Sequence, residues 1–421
     1  MVGLQRSHTP FHPATRRLLA ARFLRSISQG ALLVGFALYL DRMGWSAEHI
    51  GALLGLGGLG AGLLSLLVGV TTDRWGRRSF LLAYQAALVA VSLILVFTAN
   101  PVAILAATLI GGFGRGQAGS AGPFAPAEGA WLAEAVQPAD RGMVYSLNAG
   151  LGFFGMALGA AIAAVIPLLQ HWWPGALAYR ALFVLSALGA VAVLLLLLAT
   201  PGGRGSNAAH DAPDTVARHL ERRAQNRALY LLMFTNAFNG VAIGLTAPLI
   251  AYWFDLKFGV GPGGLGPFFA ITFILTGLAA VATGALTRAF GIVRSVVVGR
   301  GLGLGLLLLL PVLPSYGLAA AVYALRSAVS RGTVGARQAL AVSLVDDSRR
   351  GLATSLNAVS MILPAAVGPV LAGFMLQGGH LEMPFFLAAA LQFVYMVLYV
   401  RIFSRYEPQR TESDQPGRRT I

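Results

Sequence analysis

The sequence predicts an all-α polytopic membrane protein whose twelve transmembrane helices form two six-helix repeats. Three observations carry this. Of 421 residues, 56% are hydrophobic and only 11% are charged, whereas soluble domains carry about 25% charged residues. Twelve apolar stretches approach the roughly 20 residues that a span requires. A nine-residue pattern recurs at a fixed offset of 209 residues, once in each half of the chain. Disordered, collagenous and coiled-coil chains are excluded by the same composition.

The span cores fall at 18–40, 48–70, 79–98, 102–135, 143–168 and 178–200 in the first half, and at 228–254, 264–284, 294–313, 317–340, 351–376 and 384–403 in the second. The polar first 17 residues lead into a span that lacks a small-residue cleavage site, so it reads as a retained helix and not a signal peptide. Pro201 to Arg227 is the only long polar interior segment, and it divides the spans six and six. The expected organisation is therefore an N-terminal half (1–200), a cytoplasmic linker (201–227), a C-terminal half (228–403) and a cytoplasmic tail (404–421).

Orientation follows from the basic residues. With the N-terminus inside, 24 Lys and Arg fall on the cytoplasmic side and 3 outside (Arg42, Arg180 and Lys257), while Arg115, Arg300, Arg326 and Arg331 lie within spans. This ratio obeys the positive-inside rule and places both termini in the cytoplasm of a plasma (inner) membrane protein. The net charge of +15 is thus spread over loops on one face of a lipid bilayer, which excludes a nucleic-acid partner. With no Cys there is no thiolate metal site, disulfide or cysteine nucleophile.

The repeat is carried by Arg141-Gly142-Met143-Val144-Tyr145-Ser146-Leu147-Asn148-Ala149 and Arg350-Gly351-Leu352-Ala353-Thr354-Ser355-Leu356-Asn357-Ala358, which agree at six of nine positions. An even number of crossings per half gives both halves the same orientation. Between spans 2 and 3 stands Gly69-Val70-Thr71-Thr72-Asp73-Arg74-Trp75-Gly76-Arg77-Arg78, which fits G-x-x-x-D-R-x-G-R-R at every fixed position. This resembles the signature loop of the major facilitator superfamily, of bacterial type, and the span count, division and repeat extend the resemblance over essentially the whole chain. The resemblance implies two halves rocking about a central cavity, with Gly69, Asp73, Arg74, Gly76, Arg77 and Arg78 as a gating motif. The alternative is that these Arg residues are topological anchors. The second half has Arg288 where the acid would stand, leaving Asp73 as the only acidic latch. Glu134, Arg141 and Arg350 are expected latch partners.

Span 4 is interrupted by Gly111, Gly112, Gly114, Gly116, Gly119, Gly122, Pro123 and Pro126, and interrupted spans point to a transporter's site. Arg115-Gly116-Gln117-Ala118-Gly119 resembles the family's second motif, whose Arg faces the cavity and is implicated in proton coupling; the spacing departs slightly. An intramembrane Arg must in any case face protein, water or an acid. Glu128 lies about 9 Å deeper than Glu134 and is the candidate protonatable group; a place on a solvated loop is the competing reading. In span 10, Arg331 pairs with Arg115 by the motif, or Arg326 does by counting from the next span, and both registers stay open. Guanidinium groups near the interface of the halves favour an anionic or polar substrate, unless they bond helix carbonyls. Ser26, Ser28 and Gln29 in span 1 and Asn236 and Asn239 in span 7 are cavity or helix-joining residues.

Gly55-Leu56-Gly57-Gly58-Leu59-Gly60 spells G-x-G-x-x-G but lies inside an apolar span with no preceding strand, so it is helix packing. The chain has no G-x-x-x-x-G-K-[ST] and no H-E-x-x-H or clustered His, so neither ATP hydrolysis nor a metal is indicated, and no cofactor is expected. The reading is a non-enzymatic secondary transporter, a symporter or antiporter, that moves a small-molecule substrate by alternating access with a coupling proton or solute gradient, acting as a monomer. Proton-coupled drug or metabolite efflux is the alternative. A membrane sensor or lipid flippase on the same fold comes from another class, and net solute flux in vesicles would separate them.

Overall fold

A computed structural model describes residues 13–75, 77–115, 141–200, 216–290, 292–332 and 350–403, with short pieces at 122, 128–129, 131–132 and 135–136. Among these residues all regular structure is helical. The helices are α1 (Pro13–Arg42), α2 (Ala47–Trp75), α3 (Arg77–Phe97), α4 (Pro101–Gly111), α5 (Arg141–Ala163), α6 (Ile166–Leu169) and α7 (Arg180–Leu198). In the second half they are α8 (Val216–Thr246), α9 (Ile250–Phe258), α10 (Gly261–Phe290), α11 (Ile292–Leu309), α12 (Tyr316–Gly332), α13 (Arg350–Ala365), α14 (Val367–Gln377) and α15 (Met383–Phe403). Nine helical stretches among the described residues are long and apolar enough to cross a membrane, and two shorter apolar ones, Pro101–Gly111 and Val298–Val312, stand where spans 4 and 9 were expected. The molecule is an integral membrane protein.

Three expected spans are each broken into a long and a short helix. α5 gives way to α6 just before Pro167, α8 to α9 at Pro248, and α13 to α14 at Ala366, between Pro364 and Pro369. Proline lacks the N–H that continues a helix and its ring clashes with the preceding turn, so these breaks are written in the sequence. The segment expected as span 4 stops early. Asn100 caps α4 by accepting from Val102 N at 2.8 Å, and Gly112, at φ 64°, ends it by returning its N–H to Thr108 O at 3.1 Å; only glycine takes that left-handed turn cheaply. The expected linker is also shorter than 201–227 as a polar connection, because α8 already begins at Val216. Its Arg-rich face continues the helix instead of interrupting it.

Within each half the key contact is backbone against backbone. A methyl at Gly159 of α5 would overlap the Ile27 carbonyl of α1, and one at Gly30 would overlap the Met156 carbonyl. Their counterparts in the second half are Gly368, against Gly244, and Gly240, against the Met361 carbonyl. Gly159 and Gly368 are 209 residues apart, so the duplicated pattern preserves a packing device: small residues let apolar helices approach where no hydrophobic force drives them together. Between the halves, α5 lies along α10, and α2 lies along α13 and α14. There Gly51 meets the Pro369 carbonyl and Gly55 the Ala366 carbonyl, again without room for a methyl. The end of α1 also reaches α9, where Tyr252 Oη donates to Asp41 Oδ1 at 3.2 Å.

Candidate functional site

Span 1 carries more charge into the bundle than its sequence suggested. Arg25, counted at the sequence level among the cytoplasmic basic residues, is buried on α1 and donates from Nη1 to both carboxylate oxygens of Glu128, at 2.9 and 3.1 Å. The two side chains are 3% and 11% exposed, so the pair is desolvated and its worth depends on full hydrogen bonding. Gln85 of α3 completes it: with its amide oriented to suit the network, the oxygen accepts from Arg25 Nε at 3.1 Å and Nη2 at 3.2 Å. Glu128 is therefore a buried, paired acid of the N-terminal half and is not on a solvated loop. The signal that could have found Arg25 is its helical register, since Ser28 and Gln29 follow at i+3 and i+4 on the same face. All three line a small pocket closed by Leu32, Phe113 and Ser186.

The other sequence candidates are distributed as follows. Arg115, just past the end of α4, donates from Nη1 to the Gly57 carbonyl of α2 at 2.6 Å. Ser28 bonds the Leu185 carbonyl at 3.2 Å, joining α1 to α7, while Ser26 bonds Arg22 O one turn back on its own helix. In the second half Asn236 Nδ2 donates to Asn357 Oδ1 at 2.9 Å and Ser360 Oγ at 3.0 Å, tying α8 to α13. Asn239 Oδ1 accepts from Arg300 Nη1 at 2.9 Å, tying α8 to α11. Arg326 is half-buried on α12 and Arg331 ends that helix. Gln117, Glu134, Gly76 and the side chains of Gly69, Asp73, Arg74, Arg77, Arg141, Arg331 and Arg350 lie outside the described residues. No cluster of metal-ligating side chains occurs among the residues described.

Arg78 is the one signature-loop side chain described, and it turns inward to its own half. Its Nε and Nη2 donate to the Leu197 and Leu198 carbonyls, at 3.4 and 2.7 Å, and Arg17 donates to Ala199 O. These are the last carbonyls of α7, which lack partners within the helix and carry the negative end of its dipole. Arg78→Ala is expected to lower stability by about 0.3–1 kcal/mol. Thermal unfolding of the purified protein checks this, and an unchanged midpoint with impaired transport would assign Arg78 to gating alone.

The model of the Major Facilitator Superfamily matches residues 18–235 and again residues 232–420, that is, each half separately. The chain belongs to the major facilitator superfamily. Like other members it is a secondary transporter and not an enzyme, and its two matches are the two six-helix repeats. A relative among characterised sequences is an uncharacterised membrane protein of Saccharomyces cerevisiae, 23% identical over 408 residues, covering 89% of this chain and 90% of that one. The superfamily fold is shared with a solved nucleoside transporter, NupG (TM-score 0.69, 14% identity, 93% of this chain and 100% of that one). It is shared too with a bacterial homologue of the human lysosomal transporter Spinster, in an inward-facing, unoccupied state (TM-score 0.68, 13% identity, 96% and 100%). The human organic anion transporter TETRAN is a third (TM-score 0.62, 17% identity, 92% and 99%).

Proposed function

We propose that this major facilitator couples the movement of a small anionic or polar solute to a proton, and that Glu128 carries the proton. The observation that supports the reading is the buried Arg25–Glu128 pair on Gln85. A proton on Glu128 removes the charge that holds Arg25, and the freed guanidinium then needs another anion; a solute carboxylate or phosphate would satisfy it by the same two-pronged geometry. Binding of proton and of anionic solute are thereby linked. Solved transporters for organic anions and for nucleosides share the fold, which agrees with such a substrate without naming it. Gly69 to Arg78 would form the gate at one face, with Glu134, Arg141 and Arg350 as latch partners. The distribution of basic residues, 24 to 3, supports a plasma (inner) membrane protein with both termini in the cytoplasm. Completion of the bundle by two halves of one chain supports a monomer.

In proteoliposomes with an imposed pH gradient, Glu128→Gln is expected to abolish pH-driven solute accumulation while preserving counterflow, which needs no net proton movement. Gln keeps the side chain's size and one acceptor for Arg25. Accumulation that persists in this variant would remove Glu128 from the coupling step and turn attention to Asp73 or Glu134.

A further inference from the structure

The two halves share a buried arginine–amide pair but differ in what neutralises it. In the N-terminal half Arg25 on α1 faces Gln85 on α3, and Glu128 supplies a carboxylate. In the C-terminal half the partners are exchanged: Arg300 on α11 donates to Asn239 on α8. The two exchanged positions correspond, since Arg25 to Asn239 is an offset of 214 and Gln85 to Arg300 an offset of 215. No acid stands where Glu128 would be repeated. From residue 222 to 406 the only acids are Asp255, Asp346, Asp347 and Glu382. Asp255 lies near the end of α9 and accepts from Gly261 N at 2.8 Å; Asp346 and Asp347 fall between α12 and α13; Glu382 directly precedes α15. Arg300, roughly 12 Å along α11 from its start at 1.5 Å per residue, thus sits in a span region whose helices contain no carboxylate.

What surrounds Arg300 is a set of donors. Its guanidinium lies 5.5 Å from the centre of the Tyr395 ring on α15, and Arg300, Asn239 and Tyr395 are 7%, 0% and 1% exposed. Asn239 spends its oxygen on Arg300, while its Nδ2 is buried without a hydrogen-bond partner, and so is Tyr395 Oη. Buried polar groups are almost always satisfied, and leaving such a donor without an acceptor is costly. An amide N–H, a phenol O–H and a guanidinium grouped around one place call for an acceptor with negative charge.

We infer that Arg300, Asn239 and Tyr395 form an anion site within the C-terminal half, in which the carboxylate or phosphate of a small solute takes the place that Glu128 holds in the N-terminal half. The site stands apart from the coupling pair and does not depend on which residue carries the proton. It gives the transporter two buried guanidiniums of unlike character. One is neutralised by its own chain and the other by what it binds.

The test uses the purified full-length protein in detergent and three sodium salts, the acetate, the phosphate and the chloride, at matched ionic strength. Thermal unfolding is followed against concentration. The site predicts a saturable rise in midpoint with acetate or phosphate, and the stronger of these two identifies the group. In Tyr395→Phe, which keeps the ring beneath Arg300 and loses only the hydroxyl, half-saturation should move several-fold higher. In Asn239→Asp a carboxylate is supplied from within, so the midpoint without added anion should rise and the anion dependence should vanish. Equal, unsaturable effects of all three salts on the wild-type protein would assign the donors to water and overturn the site. A saturable effect of chloride alone would overturn the oxyanion class. Solute flux that responds to Glu128→Gln as expected while no salt stabilises the protein would sink this site and leave the coupling proposal standing; salt stabilisation with coupling unchanged in Glu128→Gln would do the reverse.

Discussion

Truncating Glu128 to Ala is expected to cost about 3–5 kcal/mol of stability, because it leaves the guanidinium of Arg25 buried without its carboxylate. Arg25 is only 3% exposed on its side chain and Gln85 offers it a neutral oxygen alone. Replacing both partners by apolar residues, Arg25→Leu with Glu128→Leu, should recover most of the loss, since a buried ion pair contributes little net stability over a packed apolar pair. Unfolding midpoints of the two single variants and the double variant decide the matter. A double variant as unstable as Glu128→Ala would show that the pair contributes stability as such. The distinction bears on function: a pair that adds little to stability but is costly to half-break is suited to be broken only when proton and solute arrive together.

Gly51→Val should cripple transport while sparing the fold. Gly51 lies on α2 against the Pro369 carbonyl of α14 in the other half, where even a methyl has no room. Overpacking of that kind costs about 1–3 kcal/mol, and here the cost falls on the state in which the halves meet, shifting the balance between states by roughly 5- to 150-fold. The chain has no cysteine, so a single Ala47→Cys reporter on this face, where Ala47 is 4% exposed, reports opening directly. Faster labelling by an impermeant maleimide and a slower transport cycle are expected in the Gly51→Val background. Unchanged labelling would show that the α2–α14 contact does not close the face. Gly159→Val is the control, since Gly159 packs α5 on α1 within one half and its loss should appear as reduced folded yield.

The architecture was legible because it rests on quantities a sequence displays: apolar length, basic asymmetry and a repeat. The positions of Pro167, Pro248 and Pro364 even announced where helices break. The polar interior was less so. Arg25 sits close enough to the basic N-terminus that the positive-inside count absorbed it, yet its partner Glu128 is over a hundred residues away, and nothing in a linear pattern states that two opposite charges are aimed at one another. Arg115 shows the converse: the motif placed it in the interior, but only coordinates show that it ends on the Gly57 carbonyl. Hydrogen bonds to backbone leave no trace in residue type, because every residue offers the same carbonyl. Asn239 was picked out as a polar residue of span 7, but its meaning depends on Arg300 and Tyr395, which belong to helices that meet it only after folding.

The three broken helices give the molecule uneven compliance. α6, α9 and α14 are short pieces of 4, 9 and 11 residues, each separated by a proline-marked joint from a longer helix that belongs to the body of its half. Each of the three also touches the opposite half, α6 on α10, α9 on α1 and α14 on α2. The barrier at this end is accordingly a set of three shutters on separate joints and not one wall. Such a barrier yields at its weakest shutter first, so the passage time of a solute here is governed by the softest joint and not by the inertia of a six-helix body.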